Sequence, residues 1–210
     1  MAKKYSAKKA NPTAMPHMVA HADLPTRYGR FTIYGFRGRA ANQEAIALVR
    51  GKLNGHSTPL VRVHSQCLTG DVLASQRCDC RAQLELSMKK ISRASSGVLV
   101  YLPQEGRGIG LMNKLRAYEL QDGGMDTVEA NVSLGFAADA REYDFPAQIL
   151  KSLGAKKIRL LSNNPDKVKQ LQSAGIRVVE RVPCQPRISQ ISRAYLQTKK
   201  RKMGHLLQGL

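Results

Sequence analysis

Apolar and polar positions change their spacing near residue 84. Before it the apolar residues come in short runs: Phe31-Thr-Ile-Tyr-Gly-Phe36, Ala45-Ile-Ala-Leu-Val49 ending at Gly51, and Pro59-Leu-Val-Arg-Val63. Runs this short, punctuated by Gly and Pro, predict β-strands. From there the spacing lengthens: Leu84, Met88 and Ile91 fall at i, i+4 and i+7, one face of a helix. Gly97-Val-Leu-Val-Tyr-Leu102 reads as a buried strand, and Leu111, Leu115 and Tyr118 repeat the helical spacing as far as Gly123-Gly124. A helix carrying Ile149, Leu150 and Leu153 ends at Gly154, and Ile158-Arg-Leu-Leu161 is a strand. Pro165–Ala174 is a helix opened by proline and stopped at Gly175, followed by the strand Ile176–Val179. Residues 187–203 predict a terminal helix with a basic face. Strands alternating with helices over residues 80–180 imply an α/β fold (mixed α+β), a mixed sheet with flanking helices. Residues 27–207 are expected to form a single domain behind a basic tail, 1–26, expected to be disordered.

Composition narrows the setting. No stretch approaches the roughly 18 apolar residues that span a bilayer, and the lysine-bearing start has no apolar h-region of a secretory signal. Three of the four cysteines are clustered, which suits metal ligation in a reducing compartment and not a disulfide framework; the cytoplasm is the expected location. A net charge of +19 points to an anionic partner, either nucleic acid or a phosphate-rich small molecule. Much of that charge lies at the ends: residues 181–210 hold seven Lys/Arg and no Asp/Glu, the composition of a solvated basic terminus. Aromatic residues are scarce at 5%, so stacking platforms for single strands are poorly supported.

The chemistry begins with Cys67-x10-Cys78-Asp79-Cys80. Structural zinc is normally closed by four protein ligands, whereas catalytic zinc keeps a position open for water. Three thiolates without a nearby fourth cysteine therefore point toward hydrolysis. The competing reading is a structural knuckle closed by His64. Cys78 and Cys80 open a helix, where free N–H groups favour thiolates, and water activated on such a metal suits attack on an electron-poor ring carbon. Arg62, leading into Cys67, suits a phosphate, its alternative being a half-exposed strand arginine. Gln104-Glu-Gly-Arg-Gly-Ile-Gly110 joins a strand to a helix and can present N–H groups to an anion, or be an ordinary turn. Glu105 there could accept hydrogen bonds from a donor edge such as that of guanine.

Arg62-Val-His-Ser-Gln-Cys-Leu-Thr-Gly-Asp71, Arg77-Cys-Asp-Cys80, Gln104–Gly110, Asp126-Thr-Val-Glu-Ala-Asn131, Leu134-Gly-Phe-Ala-Ala-Asp-Ala-Arg141 and Ser162-Asn-Asn-Pro165 occur in this order. Together they resemble GTP cyclohydrolase II, the zinc enzyme that opens riboflavin synthesis, over residues 24–207. The resemblance implies a dimeric α/β fold, one catalytic Zn2+ per subunit on Cys67, Cys78 and Cys80, and Mg2+ accompanying the triphosphate. It implies hydrolysis of the GTP imidazole ring at C8 with release of formate and pyrophosphate. Arg62, Val63, His64, Ser65, Gln66, Gln83, Glu105, Gly106, Arg107, Thr127, Ser162 and Lys167 match nucleotide-contacting positions of that family. Asp139 matches its proposed proton acceptor, Arg141 its proposed nucleophile at the α-phosphate, and Tyr118 a tyrosine assisting ring opening. The residues themselves leave alternatives. Tyr118 could be a core tyrosine and Lys167 a surface helix lysine. Arg141 is easier to defend as an electrostatic clamp, since a guanidinium stays protonated to above about pH 12.

Three positions and one segment depart from the family pattern. Gln66 stands where glutamate is usual, Arg81 where glycine is common, and Ser162 where threonine is usual. The segment from Pro183 lacks an asparagine-rich approach to the last helix, and Cys184 within it reads as a bystander. Two rivals follow: a diverged paralogue that releases pyrophosphate or stops at the formamide, and a basic nucleic-acid binder with a structural zinc. Nucleic-acid binding through the tails is the less favoured.

Overall fold

The computed structural model describes residues 15–40 and 43–210. One seven-stranded sheet, in the order β1-β2-β3-β5-β4-β6-β7, organises them. Its strands are β1 His17–Thr26, β2 Gly29–Arg37, β3 Glu44–Arg50, β4 Leu60–Ser65, β5 Gly97–Leu102, β6 Lys157–Leu161 and β7 Arg177–Val182. The helices are α1 Cys80–Ser92, α2 Leu111–Asp122, α3 Thr127–Ser133, α4 Asp144–Ser152, α5 Pro165–Ser173 and α6 Arg193–Met203. The β1–β2, β2–β3 and β3–β5 pairs are antiparallel, whereas β4–β5, β4–β6 and β6–β7 are parallel. The mixed α/β architecture expected from the alternation is the one present.

The alternation of side chains across β4 and β5 explains why both read as unbroken apolar runs. Val61, Val63, Val98 and Val100 face one cluster with Ile149, Leu150 and Leu171 from α4 and α5. Leu60 and Leu99 face a second cluster with Met88 and Ile91 from α1. A strand covered on both faces carries no polar face. The one polar side chain placed inside β4's apolar run, Arg62, is consequently the one that matters for the site below.

Three expectations need correction. Residues 17–26 of the assigned tail form β1, whose side chains are largely exposed; this edge strand is held by backbone pairing with β2, so its sequence shows no strand-like burial pattern. Residues 1–14 lie outside the described residues. The terminal helix starts at Arg193, not 187, after an irregular stretch containing Pro186. On α2 the buried face carries Lys114 and Ala117, whereas Leu115 is 43% exposed. Helix α3 was not anticipated, although Asp126 and Glu129 form the capping box that opens it.

Candidate active site

The site is a cleft of about 1070 Å³, open mouth included, at the C-terminal ends of β4, β5 and β6. Open α/β sheets bind ligands in this position because the loops leaving parallel strands diverge there.

β4 delivers Arg62 and then the metal loop. Arg62 is buried and donates to Leu161 O at 3.1 Å and to Gln83 Oε1 at 2.6 Å, while its Nε has no partner. It is thus not a half-exposed strand arginine. Val63 has its side chain fully buried in the core, and its carbonyl accepts from Lys167 Nζ at 2.8 Å. Ser65 donates to Gln104 Oε1 at 3.3 Å and, like Gln66, lines the cleft.

The Sγ atoms of Cys67, Cys78 and Cys80 lie within 4.8 Å of one another. Cys67 and Cys78 are 3.7 Å apart. Tetrahedral zinc with Zn–S near 2.3 Å requires S···S of about 3.8 Å, so the donor set fits zinc. Gly70 keeps the cradle clear: a Cβ there would stand 3.1 Å from the sulfurs of both Cys67 and Cys78. Hydrogen bonds from Cys78 and Cys80 hold Cys67 far below the ordinary thiol range as the shared thiolate, and Cys78, hydrogen-bonded to that thiolate and partly buried, is pushed up to about 11. His64 does not close the site. Its Nε2 is 3.1 Å from Asp71 Oδ2, its Nδ1 is buried without a partner, and among the described residues no fourth Cys, His, Asp or Glu joins the three cysteines. Asp71 also accepts from Cys67 N–H at 3.0 Å and from the Tyr101 hydroxyl at 2.9 Å. Cys184 is a bystander, buried against Ser87.

Around the metal loop stands a network that the sequence motifs only half revealed. Lys114 Nζ donates to Glu105 Oε1 at 2.7 Å, Thr69 Oγ1 at 2.9 Å and Cys67 Sγ at 3.1 Å. Glu105 also accepts from Leu68 N–H at 2.6 Å and Gly106 N–H at 3.0 Å. With three of a carboxylate's roughly four acceptor positions occupied, Glu105 braces the metal loop, which leaves little of it for a guanine edge. Tyr118, one turn beyond Lys114, is not a core residue: its hydroxyl lies 3.1 Å from Thr69 Oγ1 and its ring lines the cleft. That i,i+4 spacing is the signal that could have flagged Lys114.

The remaining wall is cationic. Arg107 occupies the left-handed region (φ 61°) beside Gly106 (φ 62°), and this turns its guanidinium onto Thr127 Oγ1 at 3.1 Å and Ala138 O at 3.2 Å. A non-glycine held there is a strained conformation of the kind that clusters at functional sites. Arg141 lines the cleft, whereas Asp139 stands behind it and takes its fork bidentately, the Nε–Oδ1 distance being 2.7 Å. Burial opposes both charges, yet Tyr143 and Asp139 hold Arg141 above its ordinary range and Arg141 holds Asp139 below its own. Lys167 is buried, not a surface lysine. Burial, with Arg62 and Arg141 nearby, pushes its ammonium well below the ordinary range. Ser162 is buried in the turn before α5, its hydroxyl accepting from Asn164 N–H at 3.1 Å. Gln83 ties Arg62 to Asp79. Arg81 points away from the cleft to Glu85 Oε1 at 3.2 Å, so the bulky cation beside Cys80 does not crowd the metal. Tyr195, Lys199 and His205 also line the cleft and were missed as site residues.

The GTP cyclohydrolase II family model matches residues 17–183. The chain belongs to the GTP cyclohydrolase II family. A GTP cyclohydrolase-2 from Buchnera aphidicola is 53% identical over 190 residues, covering 90% of this chain and 98% of that one. The riboflavin biosynthesis protein RibBA of Bacillus cytotoxicus is 54% identical over 184 residues, covering 88% of this chain and 46% of its own. The chain thus spans about half the length of the RibBA relatives and nearly all of the shorter GTP cyclohydrolase-2. RibBX, a two domain 3,4-dihydroxy-2-butanone 4-phosphate synthase from A. baumannii, aligns over 70% of this chain at 23% identity and TM-score 0.38, too low to carry an argument. Family membership gives the cysteine triad and the cationic wall a common context, because both lie within the matched residues.

Proposed function

We propose that this GTP cyclohydrolase II hydrolyses the imidazole ring of GTP at C8, releasing formate and pyrophosphate and leaving 2,5-diamino-6-ribosylamino-4(3H)-pyrimidinone 5′-phosphate, the first step of riboflavin biosynthesis. The observation that carries this is one cleft holding a three-thiolate zinc cradle together with Arg62, Arg107, Arg141 and Lys167. Zinc bound there supplies the Lewis acidity that activates water against C8. The protein's own groups do the rest. Arg62, Arg141 and Lys167 bind the phosphates, aided by Mg2+. Arg141 serves as an electrostatic clamp, because Asp139 keeps its guanidinium charged and fixes its plane. Asp139, held ionised by that pairing, is a positioning group and a poor proton acceptor. Tyr118, with Thr69 and Lys114 beside Cys67, is placed to hand a proton to the opening ring. A cytoplasmic homodimer is the working assembly. Among the described residues no helix is long and apolar enough to cross a membrane.

The test is product analysis of zinc-loaded protein with GTP and Mg2+, following the nucleotide by chromatography and assaying formate and pyrophosphate separately. Both products support the reading. Pyrophosphate alone, or a formamide nucleotide, replaces it with a truncated reaction, and no turnover overturns it.

Lys167 makes a pH prediction. Its pKa in the free protein is depressed below the ordinary 10.5 by burial and neighbouring cations. An arriving phosphate favours the charged form and raises that pKa, so binding takes up protons. Affinity for a nonhydrolysable GTP analogue should therefore fall as pH rises above that depressed value toward the higher pKa of the complex. The calorimetric enthalpy should vary with the ionisation enthalpy of the buffer. An enthalpy independent of the buffer would contradict the assignment.

A further inference from the structure

The last segment of the chain lies beyond residue 183, where the family match ends, and yet it lines the same cleft through Tyr195, Lys199 and His205. It is fastened at several points to loops that carry site residues. Lys199 Nζ is 3.4 Å from Asp79 Oδ1, between the two metal cysteines, and both groups are buried. Lys202 pairs with Asp126 and Glu129, the capping box that flanks Thr127. Leu206 N–H donates to Asn163 O at 2.8 Å, beside Ser162. Gln208 N–H donates to Gln185 Oε1 at 2.9 Å.

Within this segment His205 is the unspent group. Gly204 ends α6 in the left-handed conformation (φ 62°), and His205 N–H closes the cap onto Lys199 O at 3.1 Å. A glycine accepts that conformation without steric cost, and it turns the imidazole back toward the cleft. His205 Nε2 is buried and has no hydrogen-bond partner in the protein. Burial, then Lys199, Arg141, Lys167 and Arg107, push its imidazole down to about 3. Cations from α2's approach loop, α5, α6 and the Arg141 segment thus surround a polar atom with nothing to bind.

We propose that His205 Nε2 donates a hydrogen bond to the polyphosphate of the bound nucleotide, making recognition of the triphosphate a property of the C-terminal segment. Phosphate oxygens only accept, so binding fixes the proton on Nε2. The anion simultaneously offsets the cations that hold the ring neutral, so the bond gains charge assistance. This inference rests on the GTP reading for its ligand, but its test does not need turnover.

Calorimetry on zinc-loaded protein would compare guanosine 5′-(α,β-methylene)triphosphate with GMP. His205→Ala should weaken the triphosphate roughly tenfold, the loss of one charge-assisted hydrogen bond, and leave GMP within about twofold. His205→Gln, whose amide can donate from a similar place, should recover most of the loss. Zinc content and melting temperature matching the parent would show that the segment still docks. Equal weakening of both nucleotides, or no weakening of either, would overturn the proposal. A parent that binds the triphosphate analogue selectively yet releases no formate would defeat the cyclohydrolase reading while leaving this one standing.

Discussion

Cys80→Ser should strip the protein of most of its zinc and lower formate release by about 10³-fold or more, while the chain stays folded. A metal ion acting as Lewis acid supplies several kcal/mol of transition-state stabilisation, and about 4 kcal/mol is already a factor of ~10³. Cys80 is the cleanest of the three ligands to change. Cys67 also accepts from Lys114 and from Gly70 N–H, so its replacement disturbs the surrounding network as well. Metal analysis of the purified variant and a formate assay read the two effects separately. A fully zinc-loaded variant with unchanged formate release would remove the triad from the chemistry.

Glu105→Gln should cost about 3 kcal/mol of stability. The Glu105 and Lys114 side chains are only 9% and 10% exposed, and breaking a buried pair of this kind by changing one partner costs on the order of 3–5 kcal/mol. The conflict is geometric as well as electrostatic. Every group that Glu105 accepts from is a donor: Leu68 N–H, Gly106 N–H and Lys114 Nζ. An amide must turn its own NH2 toward one of them. Denaturant unfolding measures the loss, and the double variant Glu105→Gln with Lys114→Met should recover part of it. A single variant within about 0.5 kcal/mol of the parent would show that the carboxylate does not brace the loop.

The metal triad was legible in the sequence because its ligands are neighbours along the chain and their chemistry needs no tertiary information. The covered strands β4 and β5 were legible for a similar reason, since burial on both faces leaves an apolar run. What escaped was whatever long-range packing decides. Leu115 fits the apolar spacing of α2, but the face that meets the site is polar, and Lys114 is buried there because Cys67 and Glu105 come from elsewhere to meet it. Val63 and Arg62 share a motif and diverge because alternate residues of β4 face opposite sides. Arg81 follows Cys80 in the sequence, but the helix turns it toward Glu85 and away from the cleft. β1 draws its stability from main-chain pairing, which side-chain patterning does not report.

The spacing of the cradle also bears on the entropy of assembling it. Cys67, Cys78 and Cys80 are brought together by a loop that separates Cys67 from Cys78 by 11 positions and by the first turn of one helix. The contact of Asp79 with Lys199 beside the cleft, by contrast, closes across 120 residues. Closing a short loop costs less chain entropy than closing a long one. Bringing the three cysteines together therefore costs less chain entropy than docking the C-terminal segment, so the cradle can form before that segment is in place.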